Sequence, residues 1–381
     1  MINYFDNAST TYRKPKVVYK ALKTYKKYGA NLSRGNNQSK CKEIVETTRN
    51  NIKKLVGVGD NYEVAFCQSA TYMINQILKG LDYTKIKTIY ISKFEHNAVL
   101  RVIKQIKDKH NVDIYQLETN GYELDINAIK KQFEYNKPDL VVICHVSNVC
   151  GIIQNYKPIF EEARKHNGIT VLDMAQSCGM IKTNLQKDNV DVAIFAGHKT
   201  LYGFAGIGGA IIRKGLKIND IIQGGTGIES ASEYMPKELP ARLEPGTQNI
   251  LGIFSLYHST THLLKIGNDK VERIEIKQYN RLKSILNKSK VLKPIDIANA
   301  TTIVSCIPTK YQPDNYEEFF NKRNIAVRIG LQCCPMAHKI LGTYPAGTIR
   351  FSVGMHTKSY EFRALARAIK KLNERIKTMS D

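Results

Sequence analysis

The chain has 381 residues, 43% apolar and 24% charged, which suits a soluble globular protein with one large core and a smaller one. No apolar run approaches the ~20 residues of a membrane span, and Met1-Ile-Asn-Tyr-Phe-Asp6 lacks the basic-then-apolar layout of a signal peptide. The eight cysteines form no CxxC pair or zinc spacing, so a cytoplasmic protein without metal is expected. The net charge of +23 comes mainly from lysines spread along the chain, with no arginine-rich or aromatic-interleaved stripe. The even spacing reads first as a lysine-rich compositional habit; of the binding readings, an acidic protein comes ahead of nucleic acid, which is not expected.

Helical periodicity is expected over Val17–Tyr28 and Lys40–Val56, followed by a strand at Val64–Cys67. Ser69-Ala70-Thr71 then stands before a helix over Met73–Leu81; small residues here either offer backbone N–H groups to a phosphate or simply cap the helix. The strand Thr88–Ser92 leads to Glu95-His96-Asn97 and a helix over Ala98–Lys109, so His96 either stacks on an aromatic ligand or marks helix entry. After the strand Leu140–His145, Asn148 lies where it can bond a ligand oxygen or close a turn, and a helix is expected over Lys157–Asn167. Strands at Thr170–Asp173, Asp191–Phe195 and Gly208–Ile212 complete a βα alternation, which indicates an α/β domain with a mostly parallel sheet.

The chemistry concentrates at two of these strand ends. Lys199 sits in Ala196-Gly-His198-Lys199-Thr, directly behind an apolar run, where an amine can form a Schiff base with an aldehyde cofactor. Asp173, 26 residues earlier, ends another apolar run with Gln176 close behind, placed to pair with a pyridine nitrogen. The glycines of Gly203-Phe-Ala-Gly206-Ile-Gly208-Gly209 lack the strand–GxGxxG–helix order of a dinucleotide fingerprint and are expected to be tight turns around the lysine loop. Beyond Pro245-Gly-Thr247-Gln-Asn a long helix runs to about Leu264. The pattern then turns α+β, with a helix near Asp269–Asn287, strands near Thr302–Ile307 and Ile349–Val353, and a closing helix Ser359–Lys377. A large domain over 15–250 and a small one over 251–381, joined by segment 1–14, are expected. Between Arg328 and His338, Cys333-Cys334-Pro335 reads as an accessible thiol loop, its cysteines available to a reagent if a nearby charge favours the thiolate.

Tyr4-Phe-Asp-Asn-Ala-Ser-Thr-Thr11, Ser69-Ala-Thr71, Glu95-His-Asn97, Asp173-x-Ala-Gln176, Gly197-His-Lys199, Pro245-Gly-Thr247, Arg328…Cys333 and Thr348-Ile-Arg350-Phe-Ser-Val-Gly354 form an ordered set spanning nearly the whole chain. The chain resembles the class V pyridoxal-phosphate aminotransferases, in the branch of cysteine desulfurases and selenocysteine lyases. The resemblance implies a type I pyridoxal-phosphate transferase fold, a homodimer, and conversion of L-cysteine to L-alanine with sulfur left as a persulfide on an enzyme cysteine. It implies that Lys199 holds the cofactor and moves the Cα proton, His96 stacks on the ring and Asp173 pairs with the ring nitrogen. Gln176 and Asn148 would contact the phenolic oxygen. Ala70, Thr71 and His198 would bind phosphate, with Thr247 supplied by the other subunit. Arg350 and Asn31 would take the substrate carboxylate, and Cys333 would be the nucleophile.

Two departures stand out. Ala196 replaces a usual Ser or Thr, which removes a phosphate hydrogen bond worth about 1 kcal/mol, and Cys333-Cys334 replaces a usual Cys-Ala. Cys334 is then a bystander or a second sulfur carrier. A short thiol loop implies a small sulfur-acceptor protein. L-Selenocysteine as substrate, another class V lyase or aminotransferase activity, and more distantly a basic nucleic-acid-binding protein with a vestigial site are the alternatives.

Overall fold

In the computed structural model residues 2–28 and 38–377 are described. A seven-stranded sheet runs in the order Tyr62–Cys67, Gly208–Arg213, Val192–Ala196, Ile169–Asp173, Leu140–Cys144, Thr88–Ile91, Asp113–Gln116. Neighbours pair in parallel except Gly208–Arg213, which is antiparallel to the strand on each side. Leu140–Cys144 and Val192–Ala196 are buried at every residue because helices cover both faces, and this burial explains their unbroken apolar runs. Helices Gln38–Val56 and Ile250–Ile266 pack on one face through Ile52, Leu55, Ile253 and Phe254. Helices Ala70–Gly80 and Asn97–Lys109 pack on the other through Ile74, Ile77, Val102 and Ile106.

A four-stranded antiparallel sheet, ordered Leu292–Pro294, Ile303–Pro308, Thr348–Ser352, Arg328–Gly330, forms a separate core with helices Asn268–Leu286 and Ser359–Lys377. The segment after residue 2 reaches this core: Asn3–Tyr4 pairs in parallel with Ile325–Ala326, and Phe5 is fully buried against Phe362. Among the described residues, no helix is long and apolar enough to cross a membrane.

The expected elements occur with local shifts that have physical causes. The helix expected from Met73 starts at Ala70, because Ser69 accepts a capping bond from the Tyr72 N–H at 3.2 Å. The helix expected from Val17 begins as a 3-10 turn at Lys16–Tyr19 behind Pro15 and becomes α at Lys20. Several elements were not expected, two of them in the large domain's sheet and its cover. Asp113–Gln116 is an edge strand with exposed ends and no apolar run, and Ile126–Tyr135 is a helix capped by Asp125.

Candidate active site

The carboxyl ends of the parallel strands converge on one cleft, as open α/β sheets arrange it. Ala70, Thr71, His96, Asn148, Asp173, Gln176, Ala196, His198 and Lys199 all line it. At one end the first turn of helix Ala70–Gly80 presents backbone N–H groups that have no intrahelical acceptor, with the positive end of the helix dipole behind them. Gly208 lets this turn lie against the sheet: a Cβ there would stand 2.7 Å from Ala70 N and Ser69 C. Thus Gly208, like Gly197, Gly203 and Gly209, is required by close approach, and of the glycines in the 203–209 stretch only Gly206 has the left-handed φ of a turn. This corrects the expectation that all of them are turn residues.

His96 combines both roles open to it in the sequence. Its Nδ1 accepts the Ala98 N–H at 3.0 Å, capping helix Asn97–Lys109, while the ring forms a wall of the cleft. Desolvation first, and then the Lys199 charge, lowers its pKa, so the imidazole is neutral with its proton on Nε2. Asp173 is buried, with one carboxylate oxygen accepting the Ala175 N–H at 2.9 Å. Desolvation lowers the pKa of the Lys199 amine, and Asp173 opposes that shift.

Beneath the lysine loop runs a strap that sequence reasoning missed. Thr11 Oγ1 lies 3.0 Å from the His198 carbonyl and 3.1 Å from that of Lys199. Lys14 Nζ donates to the His198 carbonyl at 2.9 Å and to Thr11 Oγ1 at 2.7 Å, and Thr10 Oγ1 sits 3.0 Å from His198 Nδ1. Gln176 Nε2 donates to the Ala8 carbonyl at 2.7 Å. Burial pushes Lys14 down to about 7 and His198 down to about 4. The Tyr4–Thr11 motif was the only sequence signal for the strap, and nothing local connects it to Lys199.

The thiol loop lies at the cleft's rim. Cys333 is exposed, and its carbonyl accepts the Asn97 N–H at 2.8 Å. Cys334 is fully buried, and its thiol contacts the Glu95 and Phe94 carbonyls at 3.0 and 3.3 Å. The expectation that both cysteines are accessible is therefore corrected: consecutive residues of a tight turn face opposite ways, and Cys334 faces the core. Asn148 joins cleft to loop. Its Nδ2 donates to the Gln332 carbonyl at 2.7 Å, its own carbonyl accepts from Arg350 at 2.8 Å, and its Oδ1 is buried without a partner.

Other expected residues stand outside the cleft lining. Arg350 is buried, bonded to Asp6 at 2.6 Å and Ser9 at 2.9 Å, yet near enough to depress the pKa of both Lys199 and His96. Thr247 is exposed in a separate groove beside Gln68 and Glu244, away from the Lys199 cleft of its own chain. Asn31 lies outside the described residues.

The arrangement fits a phosphate-bearing aromatic ring: anion donors at one end, a flat imidazole wall, a buried carboxylate and an amine at the other side. The sequence model of the aminotransferase class-V family matches residues 3–365. The chain belongs to that family. It is 27% identical over 383 residues to a probable cysteine desulfurase of Pyrococcus abyssi, covering 97% of this chain and 94% of that one. It is 31% identical over 274 residues to the cysteine desulfurase IscS of Buchnera aphidicola, covering 70% and 67%. The apo structure of a cysteine desulfurase from Thermococcus onnurineus NA1 superposes with a TM-score of 0.89 at 26% identity, covering 98% and 95% of the two chains. The cysteine desulfurase CsdA of Escherichia coli, 19% identical with a TM-score of 0.86, covers 98% of this chain and 95% of its own and bears on the fold alone. The α/β architecture with a large, mostly parallel sheet is the type I fold expected for this family.

Proposed function

We propose that this chain is a pyridoxal-phosphate-dependent cysteine desulfurase that converts L-cysteine to L-alanine and takes the sulfur onto Cys333. One observation carries the reading: a desolvated lysine, a buried aspartate and a neutral histidine line one cleft, and the exposed Cys333 is hydrogen-bonded to that cleft's rim. The relatives named cysteine desulfurase support it.

The residues fit pyridoxal phosphate. Ala70, Thr71 and His198 would hold the phosphate, and His96 would cover the ring face. Asp173 would hold a proton on the ring nitrogen, while Asn148 and Gln176 each retain a second amide N–H for the phenolic oxygen. When bound, the cofactor supplies an electron sink for the substrate's Cα. Lys199, biased toward its neutral form by burial, would hold the cofactor covalently and then carry the Cα proton. The Cys333 thiolate would attack the substrate sulfur. The Cβ–S bond breaks as the S–S bond forms, the bonding pair stays on carbon, and that carbon takes a proton to become the methyl of alanine. Arg350 would supply the positive charge for the substrate carboxylate, with Asn31 as a second contact.

The exposed position of Thr247, outside its own cleft, supports a homodimer in which it serves the partner's phosphate site. Eight free cysteines support a reducing, cytoplasmic location, and the +23 charge supports a small acidic sulfur-acceptor protein. The test is an absorbance spectrum with L-cysteine added, alongside alanine and persulfide assays. Lys199→Ala should lose the cofactor band and turnover, whereas Cys333→Ser should keep the band and form no persulfide. Normal sulfide release by Cys333→Ser would overturn the nucleophile assignment.

A further inference from the structure

The residues flanking Cys333 are anchored from two sides. The Gln332 side chain is buried in a polar network: its Oε1 accepts from His338 Nε2 at 3.0 Å and from Thr348 Oγ1 at 3.2 Å, and its Nε2 donates to the Thr348 carbonyl at 3.1 Å. The network continues through His338 Nδ1 to Thr343 Oγ1 at 2.7 Å, and from Thr348 Oγ1 to Ser305 Oγ at 3.1 Å and on to the Val149 carbonyl at 2.6 Å. On the other side, the buried Cys334 thiol donates toward the carbonyls of Glu95 and Phe94. Between these anchors, Gln332 and Cys333 are consecutive non-glycine residues with left-handed φ values of 43° and 57°. Such a pair persists only where surrounding contacts over-determine it.

We propose that Gln332 and Cys334 are positioning residues that fix Cys333 against the cofactor cleft, a role that rests on the desulfurase reading. The Gln332 side chain ties the loop to the small sheet, while the other anchors tie it to the cleft and its margin. The Gln332 carbonyl is held by Asn148, the Cys333 carbonyl by Asn97, and the Cys334 thiol by the turn that carries His96. The Cys333 sulfur is thereby set relative to the bound substrate, and Cys334 serves as a latch instead of a second sulfur carrier. A buried thiol that already donates to two carbonyls, with its pKa raised by desolvation, is a poor nucleophile.

The experiment compares wild-type holoenzyme with Gln332→Leu, Cys334→Ala and Cys334→Ser. It reads the rate of Cys333 alkylation by iodoacetamide without substrate, the band shift on adding L-cysteine, and the persulfide on each cysteine by mass spectrometry after one turnover. Gln332→Leu should keep the band shift, alkylate several-fold faster and form persulfide at least tenfold more slowly. Cys334→Ala should move the same way, and Cys334→Ser, which retains a hydroxyl donor, should return toward wild type. Alkylation and persulfide rates within twofold of wild type in both Gln332→Leu and Cys334→Ala would overturn the proposal, as would persulfide on Cys334 in the wild type. If Gln332→Leu fails to fold, the Cys334 pair decides. A wild type that forms no persulfide while the variants still alkylate faster would refute the desulfurase reading and leave the anchoring intact.

Discussion

Replacing Gly208 by alanine tests the anion cup directly. The added Cβ would stand 2.7 Å from Ala70 N and from Ser69 C, and 3.0 Å from the Phe195 carbonyl oxygen. All three are backbone atoms, so no rotamer change relieves the contact. Recovering ordinary packing requires the Ser69–Ala70 turn to move by roughly 0.7 Å, and overpacking of this kind costs about 1–3 kcal/mol. The same movement takes the Ala70 and Thr71 N–H groups out of line with a bound phosphate, and a hydrogen bond to a charged group is worth about 1.5–3 kcal/mol. Loss of one such bond weakens cofactor binding by roughly ten- to a hundredfold. The assay is an absorbance titration of apoprotein with pyridoxal phosphate, run beside urea unfolding. Gly209→Ala is the control: its Cβ would meet the Ala65 carbonyl oxygen and the Phe195 ring, so it strains the same sheet with no atom of the Ser69–Ala70 turn among its nearest contacts. The reasoning is refuted if Gly208→Ala binds cofactor within threefold of wild type, or if Gly209→Ala weakens binding equally.

Three other outcomes are expected. Arg49 and Glu244 form a buried two-pronged pair at 2.8 and 2.9 Å, and Glu244 also accepts the Phe66 N–H at 2.7 Å. Glu244→Ala should therefore cost about 3–5 kcal/mol in urea unfolding, with most of it recovered in the Arg49→Met, Glu244→Leu double variant. Glu95 is fully buried and bonded to Ser92 and the Cys144 N–H, and desolvation pushes its pKa up to about 8. The folded chain thus holds this proton more tightly than the unfolded chain. The stability it contributes is complete below the unfolded pKa of 4.5 and is lost as pH rises toward 8, so wild type should lose stability relative to Glu95→Gln across that window. A pH-independent difference between the two in urea midpoints would contradict this. Ala196→Ser places a hydroxyl on the cleft wall beside His198 and should tighten cofactor binding about fivefold, one hydrogen bond's worth, read in the same titration.

The sheet and the cleft were legible in the sequence because both rest on local patterns. Doubly covered strands read as apolar runs, and Asp173, Asn148 and Lys199 each fall at or just after the end of one. The edge strand Asp113–Gln116 escaped because it packs on one side only and carries no such run. Likewise, Cys334 looked accessible because glycine and proline around it signal a loop, and a loop's residue types do not say which way each side chain turns. The role of Asn148 as a joint was also hidden: its partner Gln332 is 184 residues away, and the contact is to a backbone carbonyl that no side-chain identity reveals. The strap under Lys199 escaped for the same reason, since its bonds end largely on the carbonyls of His198 and Lys199.

That strap ties the lysine loop to the smaller core. The Tyr4 N–H donates to the Glu361 side chain 357 residues away, and Asn3–Tyr4 pairs with Ile325–Ala326. A few residues further on, Thr11 and Lys14 hold the carbonyls of His198 and Lys199. One short segment thus acts as a mechanical tether between the two cores, and a strain that shifts the small sheet is passed to the lysine loop along its main chain.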